Sequence, residues 1–588
     1  MFVLGRHKMN KRILRALLVT VSVFIFSILL TSDHHGWPFD LPDLGVFPSF
    51  GFSEQYRTTE PPGTWENHPV VLLHQRAKQR FGHLIRRQSR TAEDASIEYK
   101  RRYRRDPPPG FSGWAQHAIQ LGSPIIDDFD ILSHGVRRFA HLSATDIRRR
   151  MEDAAHGNPR VERCRFGDNN GRKEFDQGCR HFAGPLTRLL DSAGARHLVP
   201  DVDFLINFLD EPSVLVTQKA NSSLSQSDPV LPWADLSHSP ISAVVKSACS
   251  LLDGLATLPS TDSIATGLET DLTLEVPLVQ DVAKAKDLCQ NSNYVSSQGL
   301  LMSPPTFKHM GSLVPILSQA APVPFADILY PATHYSLRTS LYNGWWDRRW
   351  NKKKNAVYWA GSSTGGHWSD KDWMQGHRQR LATFGVDQGY AGREFVYLRH
   401  APLTNGGVNS NVGLQSYHAG APDVSVYDVS LTKIVGCASE SACDAQRRFF
   451  GLPTDGNKSP SLNSESRPFR YKFVLDVDGN SYSGRFYRFL ASHSCPLKAS
   501  IFREWHDDRL VPWLHYIPIG SPPDDLPELV RFLTETGDGQ KIGHSIAEAG
   551  REWYGKSMTP MNQGLYIYRL MLEIAWLLDE RRSPIQSN

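Results

Sequence analysis

The sequence predicts an α/β protein with at least two cores, preceded by a single N-terminal transmembrane helix. Three observations carry that reading. The chain has 588 residues, more than one ordinary core organises. Two apolar strand signatures, Asp201 to Pro212 and Arg470 to Gly520, each run into turn residues where α/β sheets bind ligands. A third stretch, Ile13 to Thr31, is apolar apart from Arg15 and long enough to cross a bilayer. An apolar fraction of 40% with 21% charged residues is that of a globular protein. The net charge of +4 is too small at this length to argue for a nucleic-acid partner.

Taken in order, Arg6, Lys8, Lys11 and Arg12 precede the apolar stretch, while Asp33, Asp40 and Asp43 follow it. The positive-inside rule then makes 1–12 a cytosolic tail and 13–31 a signal anchor, with everything beyond in the lumen. That is a single-pass type II topology in the Golgi or ER membrane. A cleaved signal peptide is the competing reading, but its core would be long and no clear small-x-small site follows. Residues 32–105 read as a stem, Pro-, Gly- and Ser-rich at first and then a basic helical segment from Val71. The run Lys100 to Arg105 is either a salt-bridged solvated face or a surface for acidic glycans or lipid headgroups. Pro107-Pro108-Pro109-Gly110 ends that segment.

The seven cysteines lack C-x-x-C spacing, which argues against a structural zinc site. In an oxidising lumen some should pair, Cys164 with Cys179 and Cys437 with Cys443 being nearest in sequence, and the odd count leaves at least one over. Asn221 and Asn457 begin glycosylation triplets.

Asp201 to Leu209 is a buried-strand pattern that ends at Asp210, with Glu211-Pro212 beyond. Asp210 therefore stands past the carboxyl end of a strand, where ligands sit in open α/β sheets; a plain turn aspartate is the alternative. Residues 218–300 are Ser-rich and carry no site. Ala356 to Ala360 reads as a strand entering the small-residue loop Gly361 to Gly366, with Arg378 on the following helix. Phe473 to Leu475 is a strand that turns at Asp478-Gly479; the loop Asn480 to Gly484 then delivers Arg485 at a helix start. N–H groups at such a turn, with an arginine added, suit a diphosphate. Ile567, Leu570, Ile574 and Leu577 share one face of a terminal packing helix.

The order Tyr471-Lys472-Phe473, Asp478-Gly479, Ser483, Arg485, Leu490, Glu504-Trp505, Pro512-Trp513 and His515-Tyr516-Ile517-Pro518 resembles glycosyltransferase family 90. This is the capsule-associated-protein-like family, which includes protein O-glucosyl/xylosyltransferases and fungal capsule xylosyltransferases. The resemblance implies a GT-B-like fold of two Rossmann-like lobes facing a central cleft. An acceptor-side lobe would span 106–340 and a donor-binding lobe 341–545, with helices of 546–588 packing back on the first. It implies inverting transfer from a UDP-sugar, xylose before glucose, to a hydroxyl of a glycan or glycoprotein. Asp210 falls on the family's catalytic base. Ser362, Thr364, Arg378, Gly479, Ser483, Arg485 and Glu504 fall on the donor side, and neither cofactor nor metal is expected. Ala360 departs from the pattern, standing where some relatives carry Arg, which throws more of the diphosphate onto Arg485 and Arg378.

The D-x-D triplets Asp201-Val202-Asp203 and Asp476-Val477-Asp478 match the metal-binding signature of other transferases, but each lies in a strand or turn that explains it locally. Two other functions compete: a catalytically degenerate, membrane-tethered glycan-binding or scaffold protein, which Ala360 favours, and a glycoside hydrolase, which would need a second carboxylate beside Asp210.

Overall fold

Two five-stranded sheets point the carboxyl ends of their parallel strands at one cleft. The computed structural model describes residues 65–585 apart from 158–159, 170, 218–229, 253–273, 337–340, 387–388, 391, 403–411, 421 and 454–464. The first half contributes β1 (Val161–Asn169), β2 (Arg172–Phe175), β3 (Val202–Asn207), β4 (Ala234–Asp235), β5 (Lys308–His309), β6 (Ile316–Ser318) and β7 (Ile328–Leu329). The first sheet has the order β2-β1-β3-β6-β7, with β4 and β5 paired apart from it. Strands β3, β6 and β7 are parallel, whereas β1 joins β2 and β3 antiparallel. This lobe is therefore a mixed sheet, not a full doubly wound one: the turn at Gly171, φ 83°, folds β2 directly back on β1 with no crossover helix between them.

The second half contributes β8 (Lys354–Ser362), β9 (Phe395–Pro402), β10 (Val412–Ala419), β11 (Tyr427–Lys433), β12 (Tyr471–Val477), β13 (Cys495–Ala499) and β14 (Ile517–Ile519). Its sheet, β11-β8-β12-β13-β14, is parallel throughout, and β9–β10 is a separate hairpin. Every residue of β12 is buried, as a strand covered on both faces requires. The chain adds β11 on one side of β8 and β12 to β14 on the other. The strand order thus reverses between β8 and β12, and the carboxyl ends of those two strands flank the natural ligand crevice.

Each sheet has its own core. The helix Pro560–Leu577 belongs to the first: the Trp114 indole donates to the Leu565 carbonyl at 2.9 Å, and the Tyr566 hydroxyl to that of Leu329 at 3.2 Å. Ile567, Leu570, Ile574 and Leu577 are all buried, and so are Arg569 and Glu573, which pair at 2.9 Å. The border placed at 545 falls inside a longer helix, Gly537–Ser557.

Two expectations change. The membrane helix is not supported: no helix among the described residues is long and apolar enough to cross a membrane, and 13–31 lies outside them. The stem does not extend to 105. From Trp65 onward the chain is part of the body, with the buried His68 bonded to Glu528 at 3.0 Å and stacked on Phe532. The salt-bridged reading of the basic run holds: Arg101 and Arg102 pair with Glu98, Arg102 with Asp128, Lys100 with Asp106, and Arg105 with buried Glu573. Disulfides join Cys164 to Cys179, Cys249 to Cys289 and Cys437 to Cys443, which leaves Cys495 buried and free. Asn221 and Asn457 lie outside the described residues.

Candidate active site

The turn after β3 is built by Asn207. Its amide donates to the Glu211 carbonyl at 2.7 Å and to Ser318 Oγ at 3.2 Å, and its oxygen accepts from the Leu209 N–H at 2.9 Å. Glu211 is buried and accepts from the Thr306 hydroxyl at 2.7 Å. Asp210, between them, keeps its side chain exposed in the cleft. Crowding by both lobes still raises its pKa, while His334 and a hydrogen bond from Asn480 pull it back down.

Asn480 belongs to the opposite lobe, in the loop between β12 and Arg485, and the Gly365 N–H donates to its side-chain oxygen at 3.0 Å. That loop is inserted among the strand ends of the first sheet. The Tyr482 hydroxyl donates to Gln319, just past β6, at 2.7 Å. The Tyr335 hydroxyl, past β7, donates to the Ser483 carbonyl at 3.2 Å and to Glu504 at 2.7 Å. Gly484 lies against His334 so closely that a Cβ there would fall 2.3 Å from the ring.

Arg378 is buried and donates to four acceptors: the carbonyls of Asp478 (2.5 Å), Val477 (2.9 Å) and Ser362 (3.0 Å), and Thr364 Oγ1 (2.6 Å). It buckles the end of β8 to the end of β12, and burial lowers its pKa to about 9. Gly479 lets the chain pass beside it, since a Cβ there would meet Thr364 Oγ1 at 3.1 Å and the Arg378 guanidinium at 3.2 Å. Ser362 Oγ is 3.3 Å from Thr364 Oγ1.

Arg485 differs from Arg378. One of its nitrogens donates to the Ala360 carbonyl, its guanidinium lies 5.8 Å from the Trp359 ring centre, and it remains partly exposed. Burial lowers its pKa while Asp476 opposes that shift. The helix it caps, Phe486–Leu490, has five residues, so the arginine itself and not a helix dipole is the cationic feature here.

Asp210, Ser362, Thr364, Arg378, Gly479, Ser483 and Arg485 thus gather where the strand ends of the two lobes meet. Glu504 lies behind them. It is fully buried, 3.3 Å from Lys498 Nζ, and reciprocally capped with Asp507. Ser483 is buried and meets the other lobe through its carbonyl. His334, Asn480, Gln319 and Tyr335 were not singled out in the sequence. The one available signal was the place of Asn480 in the 480–484 loop; β6 and β7, which carry the other three to the site, were not predicted from the sequence.

The D-x-D carboxylates have local partners. Asp476 pairs with Lys498 at 3.0 Å in the interior. Asp478 accepts from the Ile501 N–H at 2.9 Å, and burial pushes its pKa up to about 7. Asp203 faces Arg163 and Arg165, and Asp201 pairs with Lys173. Among the described residues the one cluster with metal-ligating geometry is Glu162 with Cys164 and Cys179, and those cysteines form a disulfide.

A carboxylate from one α/β lobe thus stands near a loop of the other lobe that leads to an arginine. Residues 415–584 match the model of glycosyl transferase family 90, which bears out the resemblance read between Arg470 and Gly520. A segment of 110 residues, 18% of this chain, is 31% identical to Protein O-glucosyltransferase 2 of Danio rerio. A longer segment of 266 residues, 43% of the chain, is 24% identical to Uncharacterized protein 035R of Invertebrate iridescent virus 3. The matched segments span 21% and 20% of those two relatives' own lengths.

Proposed function

We propose that this chain transfers a sugar, xylose or glucose, from a UDP-sugar to a hydroxyl of a glycan or glycoprotein, with inversion. One observation carries the reading: Asn480 of the donor-side loop, five residues before Arg485 in the chain, stands near enough to Asp210 of the opposite lobe to lower its pKa. In this account Asp210 takes the proton of the acceptor hydroxyl as that oxygen attacks the anomeric carbon. The bond from that carbon to the diphosphate oxygen breaks, and Arg485 meets the charge that develops on UDP. Arg378 acts one step back, because its donors hold the carbonyls that shape the loop. Ser362 and Thr364 line the same edge.

Three disulfides suit an oxidising compartment, in keeping with a lumenal enzyme. The name of the Danio rerio relative, Protein O-glucosyltransferase 2, favours glucose, and the basic helix followed by Pro107-Pro108-Pro109-Gly110-Phe111 resembles the xylosyltransferase branch. A donor screen that follows UDP release, with EDTA and Mn²⁺ arms, tests the reading. Turnover of one UDP-sugar supports it. No UDP binding and no turnover in any arm refutes it.

A further inference from the structure

Opposite the cleft, at the strand-start edge of the second sheet, the chain carries a braced turn with bare aromatic side chains. Trp345 is 94% exposed, more than any other large apolar side chain among the described residues, and Leu341 and Trp346 beside it are 48% and 43% exposed. The turn is firmly held. Asn343 caps it through the Trp345 N–H at 3.1 Å, and Asp347 accepts from the Tyr342 hydroxyl at 2.8 Å and the His493 N–H at 2.7 Å and pairs with buried Lys353. Arg348, Arg349, Lys352 and Lys354 are exposed next to it. Arg470 adds a fifth cation, because its neighbour Tyr471 pairs in register with Lys354. Two carboxylates of this edge are engaged, Asp347 as described and Glu548 by His493 and Arg551.

We propose that this turn and its cations form a docking surface for an anionic lipid bilayer. Tryptophan favours the membrane–water interface, where its ring meets both acyl chain and headgroup, and exposed cations are drawn to anionic headgroups. A flat interface needs no groove, and Trp345 stands out from the surface instead of lining one. Position favours lipid over acceptor glycan. From Lys354 at the start of β8 to Ser362 at its end is roughly 25 Å at strand rise, so a sugar bound here could not reach Asp210, whereas a bilayer here leaves the cleft open.

The test is local. Cys495 is buried and the other six cysteines are paired, so a Leu341→Cys variant of the full chain takes a nitrobenzoxadiazole label at that site alone. We expect its emission to rise and shift blue on phosphatidylcholine vesicles containing phosphatidylserine, but not on phosphatidylcholine alone, and to return towards the free value in high salt. Arg348→Gln with Arg349→Gln in the labelled chain should weaken the response about 30-fold, and Trp345→Ala should reduce it with the melting transition unchanged. No response to anionic vesicles overturns the proposal. So does an equal response in the charge-depleted variant, or a response to heparin with none to vesicles.

Discussion

Gly484 and His334 are in backbone-to-ring contact across the cleft: a Cβ on Gly484 would lie 2.3 Å from His334 Cδ2 and 2.5 Å from Nε2. His334 also bears electrostatically on Asp210, so the glycine sets how near an imidazole can stand to the proposed base. Gly484→Ala should displace the ring and lower kcat about 10- to 100-fold, the cost of a misplacement near 1 Å. Made in a His334→Ala background, the same substitution should add little. Steady-state kinetics of the three variants checks this.

Asn480 gives a prediction in pH. Desolvation raises the Asp210 pKa and the Asn480 hydrogen bond lowers it. A base must be ionised, so kcat/KM should fall as pH drops through that pKa. Asn480→Ala removes a stabiliser of the carboxylate and should move the acid limb of the profile to higher pH. A limb that stays still or moves down would mean that Asn480 does not serve Asp210.

The two arginines should separate. Arg378→Gln removes a donor from the Val477 and Ser362 carbonyls, each a loss of about 1–3 kcal/mol, while the Asp478 carbonyl keeps His377 Nε2 at 3.0 Å. It should lower the melting temperature together with activity. Arg485→Gln breaks one described hydrogen bond, to Ala360, and should weaken UDP binding and turnover while the melting temperature stays within a few degrees. Thermal melts and UDP titrations on both variants distinguish the roles.

Lys498 sits fully buried between Asp476 and Glu504, 4.1 Å from the Phe486 ring. Its folded pKa is raised, so the stability it contributes is present at neutral pH and would be lost only as pH rises through that raised value. Lys498→Met leaves two carboxylates without their cation and should destabilise the protein by about 3–5 kcal/mol. Urea unfolding near pH 7 measures it.

Much of this site could be read from the sequence because strand ends announce themselves. The apolar runs before Asp210 and Asp478 end at carboxylates, and β12 and β3 form where those runs stand. What could not be read is which side chains a distant turn will meet. His334 and Asn480 are ordinary polar residues until β7 and β12 bring them to one gap, and Arg378 looks like a phosphate ligand until its donors are seen to be engaged. Likewise Glu504 follows a strand as a ligand would, yet Lys498 on that strand and Tyr335 from the other lobe draw it into the interior. The basic run ending at Arg105 carried no hint of Glu573, its partner in the final helix.

The most direct test compares Asp210→Asn with the wild type, with UDP affinity and UDP release from the preferred donor measured on the same preparations. A general base is worth about 10²–10⁴-fold, so turnover should fall by that factor. UDP affinity should stay within a few-fold, because Arg485 is untouched and an amide of the same shape at 210 leaves the 478–485 loop in place. Turnover within a few-fold of wild type, with acceptor and donor saturating, would contradict the assignment of Asp210 as the base.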